Sequence, residues 1–239
     1  MTVRGAVAVR ATFAGALFDM DGVLIDTRRA IIALWRGIAD DHDVVLTDED
    51  IESKVLGCAP EHTVDTVFGF LSCADRQQAL RRVVAAEPEL EFDEMAGVRP
   101  LVERLHGGGV RLGLVTGGSS RRVARVLDRL DLGSAFAAVV AWGDVAHGKP
   151  APDCYLLGAD RIGLSPVECL VFEDAAGGVR AAIAAGASCV GIGAAGLAGH
   201  GARPVVAAAT ELHCETDRFG TMLANDGSVF ATFPREPSR

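Results

Sequence analysis

Asp19 and Asp21 stand two residues apart in ALFDMDGVLIDT (residues 16–27), directly after the apolar run Ala16, Leu17 and Phe18. Residues two apart on a strand share a face. Both carboxylates are therefore expected to look into one pocket at the strand's carboxyl end, where open α/β sheets place their ligands. Two close carboxylates that stay ionised need a cation between them, and all-oxygen ligation suits Mg²⁺. A second acidic pair, Glu173 and Asp174, ends the run CLVFED. As a surface turn it would mean little, but beside the first pair it is electrostatically untenable unless a metal balances it. The expected metal-ligating set is Asp19, Asp21, Glu173 and Asp174.

Two further groups could handle the anion such a metal attracts. Thr116 lies where Val110–Val115 gives way to Gly117, Gly118 and Ser119 ahead of a helical stretch. Its hydroxyl and the following amides can hold a dianionic oxygen, assisted by the helix N-terminus; a plain helix cap is the other reading. Lys149, in HGKPAPD, precedes a proline that favours an extended turn, from which a point charge can be aimed inward at phosphate and carboxylate. Only Lys54 and Lys149 among the 23 basic residues are lysines, so Lys149 stands against a strong drift towards arginine.

The elements that must position these residues fall into three stretches. Residues 28–97 have helical character throughout, with apolar residues such as Ile31, Leu34, Trp35 and Ile38 at three and four spacings and no convincing strand. Thr47 or Asp48 can cap a second helix there and Pro60 can open a third. Residues 1–27 and 98–212 alternate strand and helix, with strands expected near Val110–Val115, Phe136–Trp142, Val167–Phe172, Cys189–Ile192 and Val205–Ala208. That alternation predicts an α/β fold with a doubly wound, Rossmann-like parallel sheet, and every polar cluster falls at the carboxyl end of a strand. Residues 213–239 form a C-terminal extension whose Asn225-Asp226-Gly227 turn between apolar runs predicts a hairpin, ending in a frayed PREPSR.

Composition narrows the class. At 239 residues, the chain suits one large domain or a core of about 150 residues with a smaller module. A net charge of −9 argues against a nucleic-acid groove or an anionic membrane as the main partner. No run reaches the length of a membrane span. The early arginines and small apolar residues of Met1–Phe18 are read as a short leader entering the first strand, because cleavage there would remove the strand that carries the acids. The six cysteines show no C-x-x-C pair, which points away from a zinc site or a disulfide framework and towards a cytoplasmic protein.

The string DMDGVLID resembles the first motif of the haloacid dehalogenase-like superfamily, and Thr116, GKPAPD with Lys149, and VFED with Glu173 and Asp174 are similar to its second, third and fourth. The resemblance covers roughly residues 15–212 and is nearest to the subgroup with a helical cap inserted after the first motif, which includes beta-phosphoglucomutase and many sugar-phosphate phosphatases. It implies a Mg²⁺-dependent phosphatase in which Asp19 is the nucleophile that becomes an aspartyl phosphate, Asp21 the acid and then the base, and Thr116 and Lys149 stabilise the phosphoryl oxygens. Mg²⁺ would be held by Asp19, the Asp21 carbonyl and Asp174, with Glu173 ligating or close by. Dehalogenases of the superfamily lack the second acid, so Asp21 favours phosphoryl chemistry. A phosphonatase would need a cap lysine where Pro60 stands, and Lys54 is the nearby lysine that keeps this alternative open. A mutase would need cationic residues on the loop around Gly57, where Leu56 and Pro60 stand instead. Hydrolysis of a small phosphorylated metabolite is the expected activity, with Gly117, Gly118, Gly57 and His62 as substrate contacts; a mutase and a non-catalytic binding protein on the same fold are the alternatives. Oligomeric state is left open between monomer and homodimer.

Overall fold

Strand β1, Gly15–Phe18, is buried at every position, because it lies in the middle of a sheet covered on both faces. The computed structural model describes residues 11–217 and 220–234; most of the expected leader, and the expected frayed end from residue 235, lie outside the described residues. With β2 (Arg111–Val115), β3 (Ala138–Val140), β4 (Cys169–Glu173), β5 (Ser188–Ile192) and β6 (Val205–Val206), β1 forms a six-stranded sheet in the order β3-β2-β1-β4-β5-β6. Every pairing is parallel, as the expected doubly wound architecture requires. The order reverses direction at β1, so the crevice that such a reversal opens lies at its carboxyl end, where Asp19 follows. The third and sixth strands are shorter than their apolar runs: Phe136 and Ala141 join the core as flanking loop residues.

Alternate residues of β1 enter opposite layers. Ala16 and Phe18 join one core cluster, in which Phe18 stacks on Phe172 with ring centroids 4.5 Å apart. Leu17 joins the other, with Val115 and Val171. Helices Val98–Gly107 and Ser120–Leu130 supply Leu101, Leu105, Val123 and Val126 to the first layer; Asp153–Arg161 and Ala176–Ala184 supply Tyr155, Ala159, Val179 and Ala182 to the second.

Between β1 and β2 in the sequence comes the helical insert, with helices at Arg28–Asp40, Pro60–Val67 and Cys73–Ala86. Thr47 forms a capping box with Asp50 at the head of a further helical segment that widens over Ile51–Val55. These elements share a core of their own around Trp35, Ile38, Val64, Phe68 and Val83. Where only helix was expected, Asp93–Glu94 is a short strand paired antiparallel with Ile25–Asp26. The chain leaving for the insert and the chain returning run side by side, and their backbones satisfy each other there.

The C-terminal extension is more than a hairpin. Gly220–Asn225 and Ser228–Pro234 pair antiparallel around Asp226 and Gly227, both at positive φ, as a tight hairpin turn needs. His213–Thr216 adds a third strand and Ala11–Thr12 a fourth, parallel to the last. Leu223, Ala231 and Phe233 pack into the core layer that holds Leu105 and Phe13. Gly108 permits the close approach, since a Cβ there would lie 2.0 Å from the Thr221 hydroxyl.

Candidate active site

Asp19 follows the last residue of β1, its amide donating to the Phe172 carbonyl of β4 at 3.0 Å. The residue is only 3% exposed. Lys149 reaches the same depth from the loop ahead of Asp153–Arg161 and donates to Asp19 Oδ1 (2.6 Å), Glu173 Oε1 (2.7 Å) and the Val115 carbonyl (3.2 Å). Glu173 also accepts from the Tyr155 hydroxyl at 2.6 Å and, through Oε2, from the Asp174 amide at 3.1 Å. Burial pushes the Asp19 carboxyl up to about 7, with Lys149 pulling against it and Glu173 and Asp21 adding to the rise. Burial likewise raises Asp174, with Glu173 and Asp19 next in importance. Lys149 is held protonated well above its ordinary range: desolvation opposes its charge, and Asp19 and Glu173 outweigh it.

Asp19, Glu173 and Asp174 each place a carboxylate oxygen within 4.8 Å of the others'. One lysine cannot balance three clustered acids, two of them buried, and the donor set is hard oxygen, so the cluster fits a small divalent cation. Gly22 makes the arrangement feasible. It sits at φ +76°, and a Cβ there would fall 1.9 Å from Asp174 Oδ2. The Asp21 carboxylate is not part of this cluster, because β1 ends at Phe18 and the chain turns before Asp21. Its Oδ1 accepts from the Thr27 hydroxyl at 2.5 Å and from Arg122, and its Oδ2 from Arg122 Nη1 at 3.3 Å. Asp19 and Asp21 still line one cavity.

Thr116 follows β2, and its hydroxyl accepts from the Gly118 amide at 2.9 Å. The Ser119 amide is taken by Glu87 Oε1 at 3.2 Å. Of the three amides after Thr116, two are thus engaged within the protein. Gly118 is small for a packing reason: a Cβ would lie 2.9 Å from Met20 Cε and 3.0 Å from Glu87 Oε1.

The insert is seated on the loop that carries Lys149. The Ala59 amide donates to the Lys149 carbonyl at 3.0 Å, and the Trp142 indole donates to Glu61 at 2.7 Å. Gly57, at φ +66°, lies so near Ala175 that a Cβ would come within 2.4 Å of the Ala175 Cβ. The seam has an inner cavity of about 70 Å³ bordered by Asp19, Asp21, Gly57, Gly118 and Arg122. An outer one of about 480 Å³ is bordered by His62, Trp142, His147, Thr116, Gly117 and Lys149. His62 therefore lies at the outer mouth and Gly57 at the inner wall. Desolvation lowers the His62 imidazole, with Arg180 adding to it. Cys58 and Cys154 adjoin the site, but burial pushes both thiols up to about 11, so neither supplies a thiolate at neutral pH.

Three residues of the site escaped the reading of the sequence. Tyr155 is the third residue of its helix and looks like an ordinary core aromatic. Arg122, 2% exposed, joins Asp21 to Glu87, donating to Glu87 Oε1 at 3.0 Å. Glu87 follows directly on Cys73–Ala86 and is also buried. The only sequence signal for Arg122 is its place three residues after the Ser119 helix cap, which turns it onto the core face while Arg121 faces solvent.

Residues 13–186 match the family of haloacid dehalogenase-like hydrolases. The chain belongs to that family. Among curated relatives it is 32% identical over 174 residues to the phosphorylated carbohydrates phosphatase of Thermotoga maritima, covering 71% of this chain and 80% of that one. It is 30% identical over 191 residues to the beta-phosphoglucomutase of Bacillus subtilis, covering 74% and 82%. A hydrolase from Pseudomonas syringae superposes with a TM-score of 0.73 at 26% identity, over 84% of this chain and 95% of that one. In the present chain no helix among the described residues is long and apolar enough to cross a membrane.

Proposed function

We propose that the protein is a Mg²⁺-dependent phosphatase that hydrolyses a small phosphorylated metabolite, a sugar phosphate or similar monoester, through an aspartyl phosphate on Asp19. It is a phosphoric monoester hydrolase of the haloacid dehalogenase type. The observation that carries the finer reading is the buried Asp19–Lys149–Glu173 group with Asp21 two residues on, in the same cavity and held by its own hydrogen bonds. Asp19 is fixed at the floor as a nucleophile. Asp21 lies towards the insert, where the leaving group must be.

In the first step an Asp19 carboxylate oxygen forms a bond to phosphorus as the bond to the leaving oxygen breaks, and Asp21 gives that oxygen its proton. For this, Asp21 exchanges a donor, Thr27 or Arg122, for the leaving oxygen. In the second step Asp21 takes a proton from water, whose oxygen attacks phosphorus and frees Asp19. Lys149, the Thr116 hydroxyl and the Gly117 amide hold the equatorial oxygens, and Gly118 gives the loop its close approach. Asp19, Asp174, Glu173 and the Asp21 carbonyl would hold the Mg²⁺, which neutralises phosphoryl charge when bound. Residues 28–97 act as the cap and residues 1–27 and 98–212 as the catalytic core. The seated loop from Gly57 to His62 excludes water and contacts the leaving group.

Similarity to a beta-phosphoglucomutase favours a second reading, a phosphosugar mutase. Against it, Leu56 and Pro60 are both buried and bring no cation to a second phosphate. Phosphate release from a panel of phosphorylated sugars and polyols, with Mg²⁺ and with chelator, tests the proposal. Mg²⁺-dependent release supports it. Isomerisation of beta-glucose 1-phosphate without release, in the presence of bisphosphate primer, would install the mutase.

A further inference from the structure

We propose that Glu87 determines specificity: it accepts a hydroxyl of a neutral, polyhydroxylated leaving group and excludes leaving groups that carry a carboxylate or second phosphate. The inference rests on the phosphatase reading and concerns the inner cavity.

That cavity contains Asp21, the acid nearest the leaving oxygen, and is walled by Leu34, Trp35, Val83 and Leu90 of the insert. Such walls recognise no hydroxyl. Above the Asp19–Lys149 floor, and apart from Asp21, the charged groups of this cavity are Glu87 and Arg122, one from each side of the seam. Glu87 Oε1 is committed to the core, accepting from the Ser119 amide and from Arg122 Nη1. Glu87 Oε2 and Arg122 Nε are buried with no hydrogen-bond partner. An orphaned buried acceptor and an orphaned buried donor are costly unless a ligand completes them. Neither atom is open to the cavity while the insert is seated as it is, so a leaving-group hydroxyl would donate to Oε2 once a turn of the Glu87 carboxylate presents it.

Charge sets the second half of the inference. The cavity has two cations, and each already faces two carboxylates: Lys149 faces Asp19 and Glu173, and Arg122 faces Asp21 and Glu87. A carboxylate on the leaving group would find both lining cations already paired and would meet Glu87 in a medium that screens poorly. Because Glu87 belongs to the insert and Arg122 to the core, this discrimination is assembled only when the insert is seated.

The test compares kcat/KM of the full-length enzyme for glycerol phosphate and a hexitol phosphate (neutral), phosphoglycolate (anionic and of similar size to glycerol phosphate), and acetyl phosphate, whose leaving group carries no hydroxyl to donate to Glu87. Wild type is expected to favour the better neutral substrate over phosphoglycolate by about 100-fold. Glu87→Ala should lower kcat/KM for that substrate by about 10- to 100-fold, mostly through KM, with a smaller loss on acetyl phosphate and a collapse of the neutral-to-anionic ratio. Glu87→Gln keeps an acceptor oxygen without the charge, so it should recover part of the neutral turnover while admitting phosphoglycolate. Equal wild-type turnover of phosphoglycolate and the neutral substrates overturns the proposal. So does a loss in Glu87→Ala of the same factor on every substrate, which would make Glu87 structural. Failure of wild type to hydrolyse any of them, acetyl phosphate included, is a different result: it removes the phosphatase reading itself and the inference with it.

Discussion

Replacing Lys149 with methionine keeps the length of the side chain and deletes its charge, which makes it the sharpest probe of how the site is held together. The ammonium is 4% exposed and donates to Asp19, Glu173 and the Val115 carbonyl at 2.6, 2.7 and 3.2 Å. Without it two buried carboxylates lose their cation and a carbonyl loses its donor. Breaking a buried pair by removing one partner costs about 3–5 kcal/mol. At about 2–4 °C per kcal/mol for a chain of this size, melting in chelator should fall by roughly 6–20 °C. Saturating Mg²⁺ should recover part of that loss, because the same acids are the expected ligands. Turnover should fall by about 100- to 1,000-fold even with Mg²⁺, as for removal of one preorganised stabiliser of transition-state charge. Thermal denaturation with and without Mg²⁺, beside steady-state phosphate release, measures both. A variant melting within about 2 °C of wild type in chelator would refute the claim that Lys149 holds the acids together.

Asp19→Asn removes the nucleophile at constant volume and should leave the fold intact while turnover drops below about a hundredth of wild type; residual phosphate release above that level speaks against a covalent aspartate. In metal-free protein the Asp19 carboxyl is raised from 3.8 to about 7, so the native chain binds more protons than the unfolded one in between. The stability this group contributes is complete below about pH 4 and lost as pH rises through about 7. Mg²⁺ binding must displace those protons, so its affinity should rise from about pH 5.5 to about pH 8; a binding midpoint that ignores pH in calorimetric titration would contradict this. Gly22→Ala would force a Cβ to 1.9 Å from Asp174 Oδ2 at a left-handed φ. It should cost about 1–3 kcal/mol in denaturant unfolding and weaken Mg²⁺ binding. Wild-type Mg²⁺ affinity in that variant would show that the crowding at Gly22 does not position the ligand.

Local pattern carried the sheet and the floor of the site into the sequence, and the limits of that legibility are physical. Each of Asp19, Thr116 and Glu173 ends or follows an apolar run, and in a parallel sheet whose crevice lies at the carboxyl ends such runs deliver their last residues to one place. Lys149 was legible through the resemblance of GKPAPD to the family's third motif, because a lysine on a loop says little by itself. What was not legible lies across the seam. The spacing of Asp19 and Asp21 suggested two carboxylates sharing a cation, yet β1 stops at Phe18 and the turn gives Asp21 to Thr27 and Arg122. Glu87 sits in AAEPEL, a string that reads as the exposed end of a helix. Its burial follows from packing the insert against the Ser120–Leu130 helix, 35 residues away from Arg122 in sequence. Periodicity puts each on the buried face of its own stretch, Glu87 in line with Ala79 and Val83 and Arg122 beside Val123 and Val126, but it does not say that the two charged residues meet each other. The chemistry common to the family is therefore written in strand ends, which sequence shows. The choice of leaving group is written in a contact between two units, which only the folded chain shows. Exchanging Glu87 should accordingly change what is hydrolysed, whereas exchanging Asp19 changes whether anything is.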